Sequence, residues 1–543
     1  MKKNIQLALL SGLLLWIAWP PIPYTTFLLF VGFVPMLVAM ENIISTAGEK
    51  KGRKIFRTAF FGFLVWNFLS IYWVYNAIKY IGEIVAIPVS LIPYCLGPLL
   101  MACACWLYFR LRLLTGRGWS LAGLVCLWIG YEYLHQTWGL NFPWMTLGNG
   151  FATSHQWVQW YEYTGVYGGT IWIWLVNIFV FLIYIGMREA QNKQVRLKLI
   201  AGLVLIIVLP LGLSLYRYNT YQEAPDPSNV VIAQPNIDPY AKEHTYPAAQ
   251  QIDILTHLSD SLAQPNTEFF IWPETAIAET VEENHIRDNH YYFQVKQFLN
   301  RYKNGNVITG MEGYKIYDYE ATKTASQFTN GNQFYDSFNS AVAIENSSEV
   351  QIYHKSKLVP GAETLPFGNV LSFMKPVFAH LGGAAGSYGV QDSSQVFYAQ
   401  SGIGADPVIC YESIFGEYVA GAVGKGAQFI AIITNDGWWG NTSGKDQHLD
   451  YAKLRAIETR RWVCQSANTG ISAFINQRGD VVQHTKWWVR TALKQNINLS
   501  TDITFYVRYG DYIPKLASLV ALLLVVFIIV RLKVKRKITT SEA

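Results

Sequence analysis

Three residues in one polar stretch have the types and order that acyl-transfer chemistry needs. Glu274 stands in Phe-Ile-Trp-Pro-Glu-Thr, Lys355 in Tyr-His-Lys-Ser-Lys-Leu-Val-Pro, and Cys410 in Pro-Val-Ile-Cys-Tyr-Glu-Ser. A carboxylate can act as general base, an ammonium as oxyanion stabiliser and a thiol as nucleophile. Cys410 ends a short apolar run, and Tyr411, Glu412 and Ser413 after it could open a helix. A cysteine at a helix N-terminus feels the positive end of the dipole, so a thiolate is expected there. The Tyr411 amide could then point at an oxyanion. Taken singly each residue has a plainer role: a packing cysteine, a helix N-terminal acid, a solvated loop lysine. Only their combination carries chemistry.

Other candidates rank lower. His448 reads as a helix residue that supports packing. Trp438, Trp439, Trp487 and Trp488 could rest on a bilayer or line an acyl pocket, or simply pack. The apolar stretch 370–381 could lie over the site or form a buried helix.

The elements that must position these residues follow from patterning. At 543 residues, with 51% hydrophobic and 15% charged side chains, the chain is too long for one core and apolar for a soluble protein. Apolar runs long enough to span a bilayer occur near 5–20, 23–40, 56–76, 84–109, 119–136, 168–187, 198–216 and 513–531. Basic clusters follow the second, fourth, sixth and eighth runs: 50–54, 110–117, 188–198 and 531–537. The positive-inside rule then puts both termini in the cytoplasm and 220–510 outside it. The expected domains are 1–219 (about seven spans), 220–510 (catalytic, extracytoplasmic) and 511–543 (a last span and basic tail).

Between the spans the pattern is α/β. Runs at 230–233, 269–272, 307–309, 341–344, 408–410 and 429–434 read as buried strands, and 248–263 and 447–461 as helices. The link between spans five and six holds Trp138, Phe142, Trp144, Trp157, Trp160, Tyr161 and Tyr163. It reads as an interfacial aromatic belt, with a lipid-entrance surface as the sharper alternative. Four of the six cysteines lie in apolar runs, leaving Cys410 and Cys464. Neither a disulfide framework nor a Cys/His metal spacing is evident. No metal, cofactor or nucleic-acid partner is expected.

In this order, and each at a strand end, Glu274, Lys355 and Cys410 resemble the site of the nitrilase superfamily over most of 228–500. The segments 434–440 (Thr-Asn-Asp-Gly-Trp-Trp-Gly) and 461–472 resemble it too. The resemblance implies a four-layer α-β-β-α sandwich. One membrane branch, the apolipoprotein N-acyltransferases, is similar over nearly the whole chain. It matches Trp272-Pro-Glu274, Lys355 with Leu358-Val-Pro360 and Glu363, Cys410-Tyr411-Glu412, and Asn141 to Trp144. The chain departs from that pattern at Pro360-Gly-Ala-Glu363, where Pro-Phe-Gly-Glu is usual. It also lacks a tryptophan after Gln234-Pro-Asn-Ile, with Tyr240 the only nearby aromatic.

The branch implies ping-pong transfer. A phospholipid acyl chain passes to Cys410 as a thioester, then to the N-terminal amine of a diacylglyceryl-modified apolipoprotein. Glu363 and Glu412 would orient Lys355 and the nucleophile loop; Trp438 and Trp439 are candidate lipid contacts by their own chemistry, with plain packing the alternative. The implied location is a bacterial inner membrane, with the catalytic domain on the periplasmic face. Two rivals are a membrane-anchored amidase using the same triad with water, and a transporter or receptor carrying an inactive nitrilase-like domain. The sparse charges in the spans argue against a solute path.

Overall fold

The computed structural model describes residues 2–79, 83–240, 246–328, 331–364 and 388–541. The stretch 370–381, weighed above as a cover for the site, lies outside them. The chain forms two compact units. One comprises Met1–Tyr72, Pro88–Asn219 and Asp511–Ala543, the other Trp73–Ile87 and Thr220–Gly510.

In the first unit every apolar run lies on a helix: Lys2–Ile17, Val34–Ser45 (with a 3-10 turn at Thr26–Phe30), Lys51–Ile71, Glu83–Thr115, Arg117–Thr137, Val166–Arg188, Lys193–Thr220 and Tyr512–Ser541. Among the described residues six segments are long and apolar enough to cross a membrane: Thr26–Ser45, Lys51–Ile71, Ala86–Thr115, Val166–Arg188, Lys193–Thr220 and Tyr512–Val534. The other two fall short for separate reasons. Lys2–Ile17 has 16 residues, about 24 Å of helix against a hydrocarbon core of about 30 Å. Arg117–Thr137 carries Arg117, Glu132 and His135.

Aromatic rings fill the middle of this unit. Phe33 meets Trp174 at 4.4 Å and Trp128 at 5.2 Å between centroids, and Trp128 meets Trp174 at 5.0 Å. Buried Glu132 is satisfied by Trp128 Nε1 (3.0 Å), the Leu147 amide (2.9 Å) and the Thr170 hydroxyl (3.0 Å). It thereby ties two helices to the aromatic link, as a buried carboxylate must be tied. The link is not a simple belt. It winds through 3-10 turns at Pro143–Met145 and Leu147–Val158 and buries Trp144 and Tyr161 within the unit. Tyr163 is its exposed aromatic.

The second unit has two sheets. The first joins β1 (Pro227–Gln234), β2 (Thr267–Ile271), β3 (Ile277–Glu282), β4 (Asn306–Tyr317), β5 (Ser326–Gln327), β6 (Phe334–Glu345), β7 (Val350–His354) and β14 (Thr491–Asn498). The second joins β8 (Phe397–Tyr398), β9 (Gly404–Ile409), β10 (Phe429–Thr434), β11 (Val463–Ala467), β12 (Ala473–Ile475) and β13 (Val481–His484).

Strand alternation sorts side chains into layers. Val230 and Ile232 join Ile271, Ile409, Phe429, Ile433 and Cys464 in the core between the sheets. Val231 and Ala233 face the other way, toward helices Ala248–Leu262 and His290–Leu299. On the far side of the second sheet, Val408, Ile430 and Ile432 pack on Val419, Ala452 and Ala456 from helices Gly416–Gly424 and Ser443–Thr459. The result is an α-β-β-α sandwich. β2 runs parallel to β1 and β4, and β10 parallel to β9 and β11. Parallel pairing puts the C-terminal ends of neighbouring strands on one edge of each sheet.

Candidate active site

Glu274 is held by an extension of the β2–β4 ladder. The Trp272 amide donates to the Ile308 carbonyl (2.9 Å), and the Gly310 amide to that of Pro273 (3.1 Å). The turn carrying Glu274 thus lies across β4 at Gly310. A Cβ there would stand 2.4 Å from the Thr275 nitrogen and 2.7 Å from the Glu274 Cα, so only glycine permits the crossing.

Lys355 follows β7 directly, and its amide donates to the Asn339 carbonyl on β6 at 2.9 Å. Its side chain is 1% exposed. Nζ lies 2.7 Å from Glu363 Oε1 and 3.2 Å from Glu274 Oε1. Asn339 Nδ2 donates to the same two oxygens, at 2.8 Å to Glu274 and 2.9 Å to Glu363. The second oxygen of Glu363 accepts the Val359 amide at 2.8 Å. Two carboxylates and two donors therefore form one closed network. Burial works to lower the Lys355 pKa, but the charges of Glu274 and Glu363 outweigh it and hold the ammonium well above its ordinary range.

Cys410 stands at the end of β9 with φ +49°. It opens a five-residue 3-10 turn, Cys410–Ile414. A non-glycine residue at positive φ persists only where its surroundings enforce it, and Glu412 does so. Its Oε2 accepts the Ile409 amide at 2.9 Å, and its Oε1 accepts the Ser356 amide at 2.7 Å and the Tyr353 hydroxyl at 2.5 Å. One buried carboxylate thus binds the Cys410 turn to the Lys355 loop. Tyr411 is buried, with its ring 5.3 Å from that of Phe415.

The helix-dipole expectation for Cys410 is overturned. Burial, then the charge of Glu274, push the thiol well above its ordinary pKa, and Lys355 only partly offsets them. A single 3-10 turn supplies little dipole, while burial disfavours the thiolate of a side chain that is only 9% exposed. Burial therefore favours the neutral thiol over the thiolate.

His448 belongs to this site, which its helical pattern alone did not reveal. Its Nε2 is 2.8 Å from the Ser413 hydroxyl and 3.2 Å from the Cys410 carbonyl oxygen, and its Nδ1 is 3.0 Å from Asp436 Oδ1. Thr434 donates to the same Asp436 oxygen at 2.6 Å, and its side chain also lies against the Cys410 thiol. Asn339 is not singled out by the sequence, and Thr434 and Asp436 stand there only as part of the segment 434–440, without a role. For Asn339 the available signal is the polar pair Asn339-Ser340 at the head of the apolar run 341–344.

Trp438 and Trp439 are half-buried and engaged with their own unit. Trp439 lies 5.4 Å from the His448 ring and 5.0 Å from that of Trp73, and Trp438 lies 5.1 Å from Tyr240. Asn76 donates to the Trp439 carbonyl at 3.1 Å, and Trp73 Nε1 to Gln447 at 3.0 Å. Trp73 and Asn76 thus belong to this unit and pack on the Asp436–Trp439 turn and helix Ser443–Thr459. Trp487 and Trp488 pair with each other at 5.6 Å, and Lys445 Nζ lies 5.6 Å over Trp487. Cys464 is a buried strand residue on β11.

A carboxylate, an ammonium and a thiol at strand ends of a double-sheet sandwich define a recognisable class. Residues 229–503 match the carbon-nitrogen hydrolase family model, and the chain belongs to that family. Residues 11–179 match the apolipoprotein N-acyltransferase N-terminal domain. With both parts in one chain, it groups with the apolipoprotein N-acyltransferases. The relative of that name from Chlorobaculum tepidum is 28% identical over 95% of this chain and 94% of its own length. The one from Geobacter metallireducens is 26% identical over 94% and 92%. Among solved structures, an amidase from Nesterenkonia sp. covers 55% of this chain and 98% of its own, at 13% identity and a TM-score of 0.35.

Proposed function

We propose that this chain moves a fatty acyl group from a membrane phospholipid, through a thioester on Cys410, to the N-terminal amine of a diacylglyceryl-cysteine apolipoprotein. The observation that carries the mechanism is the sharing of Lys355 Nζ between Glu274 and Glu363, at 3.2 and 2.7 Å, beside a thiol whose ionisation burial opposes.

In the first half-reaction Glu274 takes the thiol proton as sulfur attacks the ester carbonyl. Lys355 and the Tyr411 amide hold the oxyanion. The glycerol oxygen leaves with a proton from Glu274, giving a lysophospholipid and the acyl-enzyme. In the second, the acceptor amine attacks the thioester, Glu274 accepts the amine proton, and the amide forms as the Cys410 thiol is restored. A thioester is activated enough for this without ATP. Glu363 fixes Lys355, and Glu412 fixes the turn that presents the thiol. Trp438 and Trp439 contact the acyl chain beside that turn. In this reading the enzyme lies in the bacterial inner membrane with 220–510 on the periplasmic face, an orientation that the four basic clusters support.

Supplying the purified enzyme with phospholipid and a diacylglyceryl-cysteinyl peptide tests this reading. The expected products are lysophospholipid and N-acylated peptide in equal amounts. Free fatty acid without acylated peptide, or turnover of a small amide in preference to phospholipid, would favour the membrane-anchored amidase instead.

A further inference from the structure

A cavity of about 650 Å³ opens where helices Lys51–Ile71 and Glu83–Thr115 meet, and all the residues lining it lie in the helical unit. Its lining is of two kinds: Phe56, Cys103, Trp106 and Phe109 are apolar, while Lys50, Lys51, Arg53 and Arg110 are cationic. No acidic side chain lines it. Gly52 lets the helix approach the aromatic wall, since a Cβ there would stand 3.1 Å from Trp106 Nε1 and 3.2 Å from Phe109.

The positive-inside rule accounts for basic residues at a helix end, but not for their lack of partners. Arg117, from the same group of basic residues, pairs with Glu41 and Glu189, and Arg112 pairs with Glu41. Among the described residues the four cations of the cavity form no ion pair. Lys51 Nζ meets only the Ile44 carbonyl, at 2.7 Å. The Arg110 guanidinium lies 4.8 Å over the Trp106 ring, and its buried Nε has no hydrogen-bond partner. A buried guanidinium N–H without an acceptor is costly.

We propose that this cavity binds the phosphate of an anionic glycerophospholipid, with the lipid's glycerol and upper acyl chain on the aromatic wall. Four unpaired cations beside an apolar wall match an amphiphile with a negative head. Zwitterionic lipid gains less there, because its own ammonium meets the same cations. Volumes of about 300–1,000 Å³ suit small-molecule sites, and basic pockets between membrane helices at one interface recognise such head groups. The site is distinct from Cys410, because none of its residues belongs to the unit carrying the thiol. Its occupant would clamp the two helices and would not be consumed.

Native mass spectrometry of the full-length protein in detergent tests this, with phosphatidylglycerol titrated against phosphatidylcholine. The first phosphatidylglycerol should bind about tenfold tighter or more, given the contribution of each cation at a membrane surface. Arg53→Gln combined with Arg110→Gln should abolish that preference, and Arg53→Lys with Arg110→Lys should largely keep it. Acyl-enzyme formation at Cys410 should be unchanged in both, which also reports folding. Millimolar inorganic phosphate should leave the bound lipid in place. Equal affinity for the two lipids, a preference surviving the double glutamine change, or displacement by phosphate alone would each overturn the proposal. Should the glutamine variant not fold, a photo-reactive phenylalanine analogue at Phe56 keeps every cation. It should crosslink phosphatidylglycerol and not phosphatidylcholine, and equal crosslinking would refute the site.

Discussion

His448 Nε2 lies 3.2 Å from the carbonyl oxygen of Cys410, and Asp436 holds the opposite ring nitrogen at 3.0 Å. The imidazole thus braces a turn whose first residue, Cys410, sits at positive φ. We expect His448→Ala to slow acyl-enzyme formation by about 10²-fold, the scale on which a displacement near 1 Å acts, with little change in KM. Single-turnover kinetics with excess phospholipid measures it. An unchanged rate would reduce His448 to packing.

Glu274 and Lys355 should both be needed for the first half-reaction. Glu274→Gln keeps size but cannot accept the proton, a loss of about 10²–10⁴. Lys355→Met removes an oxyanion donor, a loss of about 10²–10³. It also strands two buried carboxylates, so a stability loss of about 3–5 kcal/mol should accompany it. Thermal melting alongside the kinetics separates the two effects. If Glu274→Gln forms thioester normally and fails only with the amine acceptor, Glu274 is a second-step base, and Glu363 or Glu412 must activate Cys410.

The pH response of Cys410 offers a separate handle. Its raised pKa means the thiol stays protonated at neutral pH, and the thiolate fraction grows only as pH climbs above the range of an exposed cysteine. Because Glu274 contributes to that rise, Glu274→Gln should move the thiolate midpoint downward while acyl transfer is lost. Thiolate absorbance, with Cys410→Ala subtracted, reads the midpoint. A midpoint that stays put or moves upward would show that Glu274 does not act on the thiol.

Gly310→Ala tests the placement of Glu274 without touching any charged group. The added methyl meets backbone atoms of Glu274 and Thr275 at 2.4–2.7 Å, so the turn must shift. Activity should fall at least about 10²-fold in a protein that still inserts and folds. Wild-type turnover would mean that the turn relaxes freely or that Glu274 is not required.

Much of this is legible in the sequence. Strands at 408–410 and 429–434 could be read because buried parallel strands are continuous apolar runs, and each stops at a residue of different chemistry. Glu274 and Cys410 stand out for that reason, and Lys355 by its type and its place after a strand in the same order. What could not be read depends on pairing across the chain. Asn339 bonds both carboxylates, but sequence spacing cannot show that β6 carries it to β7. His448 lies on a helix with little amphipathic contrast, so its face was not evident. Cys410 heads only a single 3-10 turn, because extended Phe415 separates that turn from the α-helix that starts at Gly416. The aromatic link misled because Trp and Tyr mark interfaces and interiors alike.

The orientation rests on the four basic clusters and can be checked directly. A cysteine placed at exposed Tyr319 should react with a membrane-impermeant reagent added to spheroplasts, and one at Lys533 should not. The opposite pattern would put the thiol on the cytoplasmic side.

The covalent intermediate itself is the most direct test. Protein incubated with phospholipid alone should yield a Cys410 peptide heavier by one fatty acyl group, and neutral hydroxylamine should remove that mass. Cys410→Ala should carry no acyl group, and Cys464→Ala should carry it normally. A Cys410 peptide that stays unmodified while phospholipid is turned over, or an acyl group found on another residue, would contradict transfer through a Cys410 thioester.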